Sequence, residues 1–222
     1  MSQSLNHWVK RIERYSQLIA EKYQQHNFIF LSYKEMHEKY NNVLSKEYLD
    51  LYTQAQHRKS QLPFQAFDES LPLSWMKIRS LSSEDVFYIP VQLLFVGYKV
   101  KRHLNEPWYS TAVTTGTAAH TDLASALLGA VLEVIQIDST IGHWYSNWIV
   151  PEIRFDNRTK PMEAILKKYG NIAHNPARFF WLKNPDLAGI SIACMLERPE
   201  GSIPRVSVGL GASTSLNDAL IN

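Results

Sequence analysis

Apolar residues recur at helical spacing from the start of the chain. Leu5, Trp8, Val9, Ile12, Tyr15, Ile19 and Tyr23 share one face with polar residues between them. That pattern predicts an amphipathic helix of about 20 residues. Phe28-Ile29-Phe30-Leu31 reads as a short strand. Residues 33–60 are polar and helical in character, in two pieces, Tyr33–Tyr40 and Lys46–Gln56. Pro63, Pro72 and the acidic pair Asp68-Glu69 mark an irregular connection. Val86–Val96 is a long apolar run rich in β-branched and aromatic residues, interrupted by Pro90. Proline gives no N–H to a ladder, so the run is either an edge strand or two pieces joined at a bulge.

Asp122–Ile137 carries the strongest helix pattern. Thr121 or Asp122 can cap it, and almost every position is apolar or small, which predicts burial on most faces. Met162–Tyr169 reads as a shorter helix. Ile190–Leu196 and Val206–Val208 read as buried strands, with Pro199-Glu200-Gly201 as the turn of a hairpin between them. The irregular alternation of strands and helices favours an α+β fold over a doubly wound parallel sheet.

Two segments resemble each other. Gly116–Leu128 and Gly209–Ile221 align without gaps, with six of thirteen positions identical. The shared plan is a small-residue loop, a Thr/Ser cap and an apolar helix. Such a loop allows close backbone approach and aims helix N–H groups at whatever lies above. The second copy reaches Asn222 after about two turns, and the first helix opens the chain with no strand and loop before it. Both features predict a domain incomplete at its two ends.

Composition narrows the function classes. Hydrophobic residues make up 45% and charged residues 20%, a balance that supports a buried core and excludes disorder. Net charge is +2 with Lys and Arg scattered, leaving no footprint for nucleic acid. The one local run, Lys99-Val100-Lys101-Arg102-His103, reads as a solvated loop. Cys194 is the only cysteine, so no intrachain disulfide forms; its apolar neighbours make it a small core residue. No signal-peptide pattern opens the chain, and no apolar run approaches the roughly 20 residues of a membrane helix. The expected compartment is the cytoplasm, with no membrane and no nucleic acid as partner.

Glu133 is the only charged residue between Asp122 and Asp138. A carboxylate in such a helix must be paired, hydrogen-bonded, metal-bound or protonated. A nearby Arg or a solvent-facing edge would satisfy it without any function. Glu13, beside Arg14 and three residues after Lys10, reads alone as an ordinary surface charge. The eight histidines show no i, i+4 pair, which argues against a helical zinc site. His120 lies in the first small-residue loop, either facing a bound anion or simply exposed. No phosphate-binding G-x-x-x-x-G-K-[ST] loop and no G-x-S-x-G elbow occur.

The stretch Thr114–Asp138 resembles the signature of YcaO proteins, which in SagD-like members runs S-N-G-x-A-A-G-N-T-x-E-E-A-L-L-x-G-L-L-E-V-I-E-R-D. Ile12-Glu13-Arg14-Tyr15-Ser16 looks like the earlier family motif G-E-A-L-E-R-Y-S. Ser32-Tyr33, Pro63-Phe64 with Asp68, Leu73-Ser-Trp75, Tyr88-Ile-Pro-Val-Gln92 and Val208-Gly-Leu-Gly-Ala212 follow in family order. The resemblance implies a single YcaO-like domain over residues 1–222, a fragment of the full family domain. It implies an α+β fold with a mixed or antiparallel sheet, packed helices and internal strand–loop–helix repeats.

It also implies ATP and Mg2+ as cofactors. Glu133 and Glu13 would be metal ligands, with Thr121, Gln136 and Arg14 beside them in the nucleotide site. No catalytic residue is assigned. Family members phosphorylate a peptide amide oxygen after a Cys, Ser or Thr side chain has attacked the carbonyl, and loss of phosphate leaves an azoline. The implied partners are a precursor peptide and a leader-binding protein, with a homodimer also admitted. Several positions depart from the pattern. Gln136 stands for the second Glu and Ile137 for the Arg of E-x-x-E-R; Lys10 stands for a Glu, Thr121 for an Asn and His120 for a Gly. Each of the first three removes charge stabilisation that a metal–triphosphate site needs. Two readings stay open: a component of bacteriocin-type peptide maturation, and a catalytically dead scaffold or docking protein.

Overall fold

The structure, a computed structural model, describes residues 27–59, 61–157 and 177–221. The amphipathic pattern at 5–23 and the helix expected at 162–169 lie outside the described residues, as do Lys10, Glu13 and Arg14. The chain divides into two compact units, Met1–Thr114 and Thr115–Asn222.

In the first unit, β1 (Ile29–Ser32), β2 (Pro72–Arg79) and β3 (Val86–Pro90) form an antiparallel sheet in that order. Ile29 pairs with Trp75, and Trp75 with Pro90 on its other side. β3 is thus an edge strand, and Pro90 ends it, passing the chain into a 3-10 turn at Val91–Leu93. β2, the central strand, has no counterpart in the sequence pattern. Its Leu73, Ser74 and Trp75 are buried consecutively, so the alternation that marks a half-buried strand is missing. Helix α1 (Tyr33–Lys39) starts at Ser32 with a reciprocal cap: the Glu35 amide donates to Ser32 Oγ, and Glu35 accepts from the Ser32 amide at 2.8 Å. A single turn, α2 (Gln54–His57), starts at Thr53 in the same way.

The core of this unit gathers Tyr33, Met36, Leu49, Leu73, Trp75 and Tyr109. Each large side chain removed from water contributes about 1.5–3 kcal/mol. The polar groups carried inside are paired. Trp75 Nε1–H donates to the Leu31 carbonyl at 2.9 Å. Tyr109 Oη donates to the Asp68 carbonyl at 3.0 Å and accepts from the Asp68 amide at 2.9 Å.

Glu106 is 4% exposed and makes no ion pair among the described residues. Its Oε1 accepts from the Ser74 amide at 2.7 Å; its Oε2 accepts from the Lys101 amide at 2.7 Å and from Tyr98 Oη at 2.8 Å. Gln92, also buried, accepts from the amides of Tyr109 and Ser110 at 2.9 and 3.2 Å. These two side chains hold the loop 98–110, which has no regular structure beyond one 3-10 turn, Arg102–Leu104.

In the second unit, β4 (Ala177–Trp181), β5 (Ile190–Glu197) and β6 (Val206–Ser213) form another antiparallel sheet. β5 and β6 make the expected hairpin, with Gly201 at φ +85° in its turn. β6 is longer than the apolar pattern indicates and less buried, since Val206 and Val208 are exposed. Gly209–Ser213, taken from sequence as a loop, lies in β6 because each residue pairs with β5, from Gly209 on Cys194 to Ser213 on Ile190. α4 (Leu216–Ile221) follows, and Phe179, Ile192, Ala219 and Leu220 form the core between it and the sheet. Cys194 is half-buried at the edge of this cluster, and burial raises its thiol pKa.

Helix α3 (Leu123–Tyr145) runs 23 residues, well past the expected end at Ile137. The expectation of burial on most faces is overturned. Only Ile135 and Ser139 are buried, while Leu123, Leu128, Val131, Val134, Ile141, Trp144 and Tyr145 are exposed. The sheet strands β5 and β6 and the loop before β5 cover one side of the helix; the Asn184 amide of that loop donates to Asp138 at 2.7 Å. By length and composition α3 is apolar enough to cross a membrane, which also corrects the sequence expectation on that point.

Two outcomes follow for the first unit. Burial pushes the Tyr109 hydroxyl pKa up to about 12, against 10 for a free tyrosine. The folded state then holds a proton that the unfolded state has lost, so the Tyr109 contribution to stability is constant below pH 10 and falls between 10 and 12. Denaturant midpoints across that range check this, and Tyr109→Phe removes that part of the slope. Glu106→Gln replaces an acceptor oxygen with an NH2 facing N–H or O–H donors, and we expect a loss of about 2–3 kcal/mol in urea unfolding.

Candidate functional site

The small-residue segment Thr115–Thr121 leads into α3, and Asp122 caps the helix by accepting from the Ser125 amide at 2.8 Å. Of the two caps open from sequence, Thr121 is not used. In the second copy of the repeat the equivalent position, Ser215, accepts from the Asp218 amide at 3.2 Å. The residue after the shared threonine therefore caps in both copies. Hydrogen bonds from Ser125, its amide first, and then His120 beside it hold the Asp122 carboxyl below its usual pKa.

Glu133 lies three turns into the helix and reaches back to this segment. Its Oε2 accepts from the Gly116 amide at 3.1 Å. Gly116 has φ +85°, and a Cβ there would come 3.1 Å from Val134 Cγ2. Glycine is therefore required both for the backbone turn and for the close approach to the helix. Among the described residues the carboxylate is met by this main-chain N–H, and it is half-buried. Its other oxygen, Oε1, has no hydrogen bond among the described residues.

Gln136 sits one turn further along the same helix and is half-buried; its carbonyl accepts from Thr140 Oγ1 at 2.7 Å. Thr121 is exposed, with its hydroxyl 3.4 Å from His120 Nδ1. His120 turns onto the cap, its Nδ1 2.7 Å from Asp122 Oδ2. The structure thus brings Glu133 against the loop that carries His120 and Thr121. Glu13 and Arg14 lie outside the described residues. Among the described residues no group of three or more His, Cys, Asp or Glu gathers to hold a metal ion. Mg2+ takes an octahedral set of oxygens, with carboxylates and phosphates sharing the charge. The described residues fit one ligand of such a site, Glu133, and do not complete it. Glu106 went unnoticed in the sequence, where a single acid in Asn105-Glu106-Pro107 carries no pattern.

An α+β domain in which a small-residue loop is tied to the carboxylate of the following helix is the class defined by these elements. The family model described as YcaO cyclodehydratase, ATP- and Mg2+-binding, matches residues 8–222, and the chain belongs to that family. A solved heterocyclase in complex with substrate and cofactor is similar, with a TM-score of 0.71 and 19% identity over 87% of this chain and 26% of that one. The Escherichia coli microcin synthetase McbBCD complex with pro-MccB17 bound gives 0.53 at 20% identity, over 67% and 38%. YcaO from Methanopyrus kandleri bound with AMPPCP and Mg2+ gives 0.54 at 15%, over 73% and 40%. The chain thus spans between 26% and 40% of the length of these proteins. No curated protein sequence matches it.

Gly116→Ala tests the loop–helix tie. The substitution meets both the left-handed backbone and Val134, and we expect a loss of about 1–2 kcal/mol in thermal or urea unfolding. Adding Val134→Ala removes the contact but not the backbone strain, so the double variant stays less stable than Val134→Ala alone.

Proposed function

We propose that this chain is the YcaO-type component of a system that matures a ribosomally made peptide in the cytoplasm. The chemistry of that system is ATP-dependent closure of Cys, Ser or Thr residues to azolines. One observation carries the reading: the Glu133 carboxylate holds the small-residue loop through the Gly116 amide, and its second oxygen has no hydrogen bond among the described residues. A loop held this way presents backbone N–H groups beside one negative charge, the arrangement in which phosphate oxygens and a shared divalent ion are both accommodated. When bound, ATP would supply the phosphoryl group and Mg2+ would neutralise its charge. Glu133 would bind the metal, with Glu13, Arg14, Thr121 and Gln136 contributing to the nucleotide site. The precursor peptide and a leader-binding protein are the partners.

The second reading, a nucleotide-free scaffold, is favoured by the neutral Gln136 and Ile137, which stand where the family signature has Glu and Arg. Calorimetry separates the two. In the first reading ATP binds only with Mg2+, and Glu133→Gln weakens it on the order of tenfold or more. Glutamine retains an acceptor for the Gly116 amide, so the loss reports charge and not loop folding. Absence of binding with and without Mg2+ leaves the scaffold reading.

A further inference from the structure

The loop held by Glu106 and Gln92 borders two open hollows of the first unit, which no part of the nucleotide reading uses. One, of about 560 Å³, is walled by Pro63, Leu71, Val100, Pro107 and Trp108, with Arg102 and Asn105 at its rim. The other, of about 460 Å³, adds Tyr98, Lys99 and His103. They share Val100, Arg102 and Trp108, so they form one continuous groove. Each volume lies in the range of ligand sites.

Its charge is one-sided. Lys99, Arg102 and His103 are exposed, and their side chains make no ion pair or hydrogen bond among the described residues. Lys101, from the same run, is spent elsewhere, its ammonium 5.2 Å from the centre of the Phe30 ring. Glu106 is the one acid in the lining, and both its oxygens are committed inward to Ser74, Lys101 and Tyr98. Among the described residues the groove therefore offers cations with no acid paired to them.

It is also pre-shaped. The Trp108 amide donates to Gln65 Oε1 at 2.9 Å, and its carbonyl accepts from the Gln65 amide at 2.8 Å. The Trp108 ring meets Phe64 edge to face at 4.9 Å, and Phe64 stacks on Tyr52 at 5.3 Å. Asn105 stands in the left-handed region at φ +59°, a conformation asparagine tolerates. A site whose walls are already fixed loses little entropy on binding.

From these features we infer that the groove binds an acidic peptide segment, with carboxylates on Arg102 and Lys99 and an apolar side chain against Trp108, Pro63 and Leu71. A free anion would leave the apolar walls unused. Nucleic acid would call for a longer basic track than one loop supplies. The inference stands apart from the nucleotide reading and holds whether or not ATP binds.

Fluorescence anisotropy tests it on the 222-residue chain. The probe is a short fluorescein-labelled peptide alternating Glu and Leu; the control replaces each Glu with Gln. We expect saturable binding of the acidic peptide, at least about tenfold weaker for the control and for Arg102→Glu, and reduced by salt. Trp108→Ala weakens both peptides, and circular dichroism confirms that each variant is folded. No binding of the acidic peptide, equal binding of both peptides, or undiminished binding by a folded Arg102→Glu overturns the inference. Displacement of the peptide by inorganic phosphate or an oligonucleotide at equal concentration overturns it as well.

Discussion

A carboxylate held out of water must be given donors, and in this chain the donors are main-chain N–H groups. Buried Glu106 takes the amides of Ser74 and Lys101 and half-buried Glu133 that of Gly116, while the exposed Glu35 and Asp122 take those of Ser32 and Ser125 as helix caps. The most buried of them, Glu106, has no cation among the described residues to share its charge. Fixed N–H dipoles at 2.7 Å are what allow it to stay inside, since an unpaired charge there would cost several kcal/mol. In return the acid fixes backbone that has no ladder of its own. Loop 98–110 and the segment before α3 owe their shape to these side chains, and both candidate sites are built on them.

The sequence was most legible where periodicity and neighbours agree. The start of α3, the β5–β6 hairpin and the edge character of β3 follow from local pattern, turn residues and Pro90. Legibility fails where burial is decided by distant partners. β2 has Ser74 buried between Leu73 and Trp75 because Glu106, 32 residues on, accepts from its amide. The end of α3 was placed too early because Asp138 reads as a boundary, whereas Asn184 gives it a partner across 46 residues. Glu133 was legible as an acid that needed a partner. That the partner is the Gly116 amide emerges only when the loop folds back 17 residues, and no spacing rule encodes it.

The internal repeat shows how similar residues take different roles. Gly209–Ser213 pairs with β5 along its whole length, while Gly116 turns at positive φ under the side chain of Val134. What the copies keep is the cap, Asp122 in one and Ser215 in the other. The acid in the first copy differs from the hydroxyl in the second by a charge at the helix start, and His120 is drawn onto it. A negative cap with an imidazole beside it is less open to an incoming phosphate than the Gly and Asn of the family signature. In the proposed nucleotide reading, charge lost at Gln136 and Ile137 and charge added at the loop would act on the same property, the affinity of this end of the helix for a metal-bound polyphosphate.

That property separates the two candidate sites physically. In the proposed reading, nucleotide affinity at the helix would depend on how much negative charge surrounds a divalent ion, and the described residues offer one carboxylate there, Glu133. The groove beside Trp108 needs the opposite: cations without acids, and walls that stay open. Burying Glu106 satisfies both its demands at once, because an acid turned inward both pins the loop and withdraws its charge from Arg102, Lys99 and His103. A lysine or arginine on a loop is ordinarily neutralised by the nearest acid; here the nearest acid in the lining has been consumed by the backbone. The basic run thereby keeps its field unneutralised among the described residues.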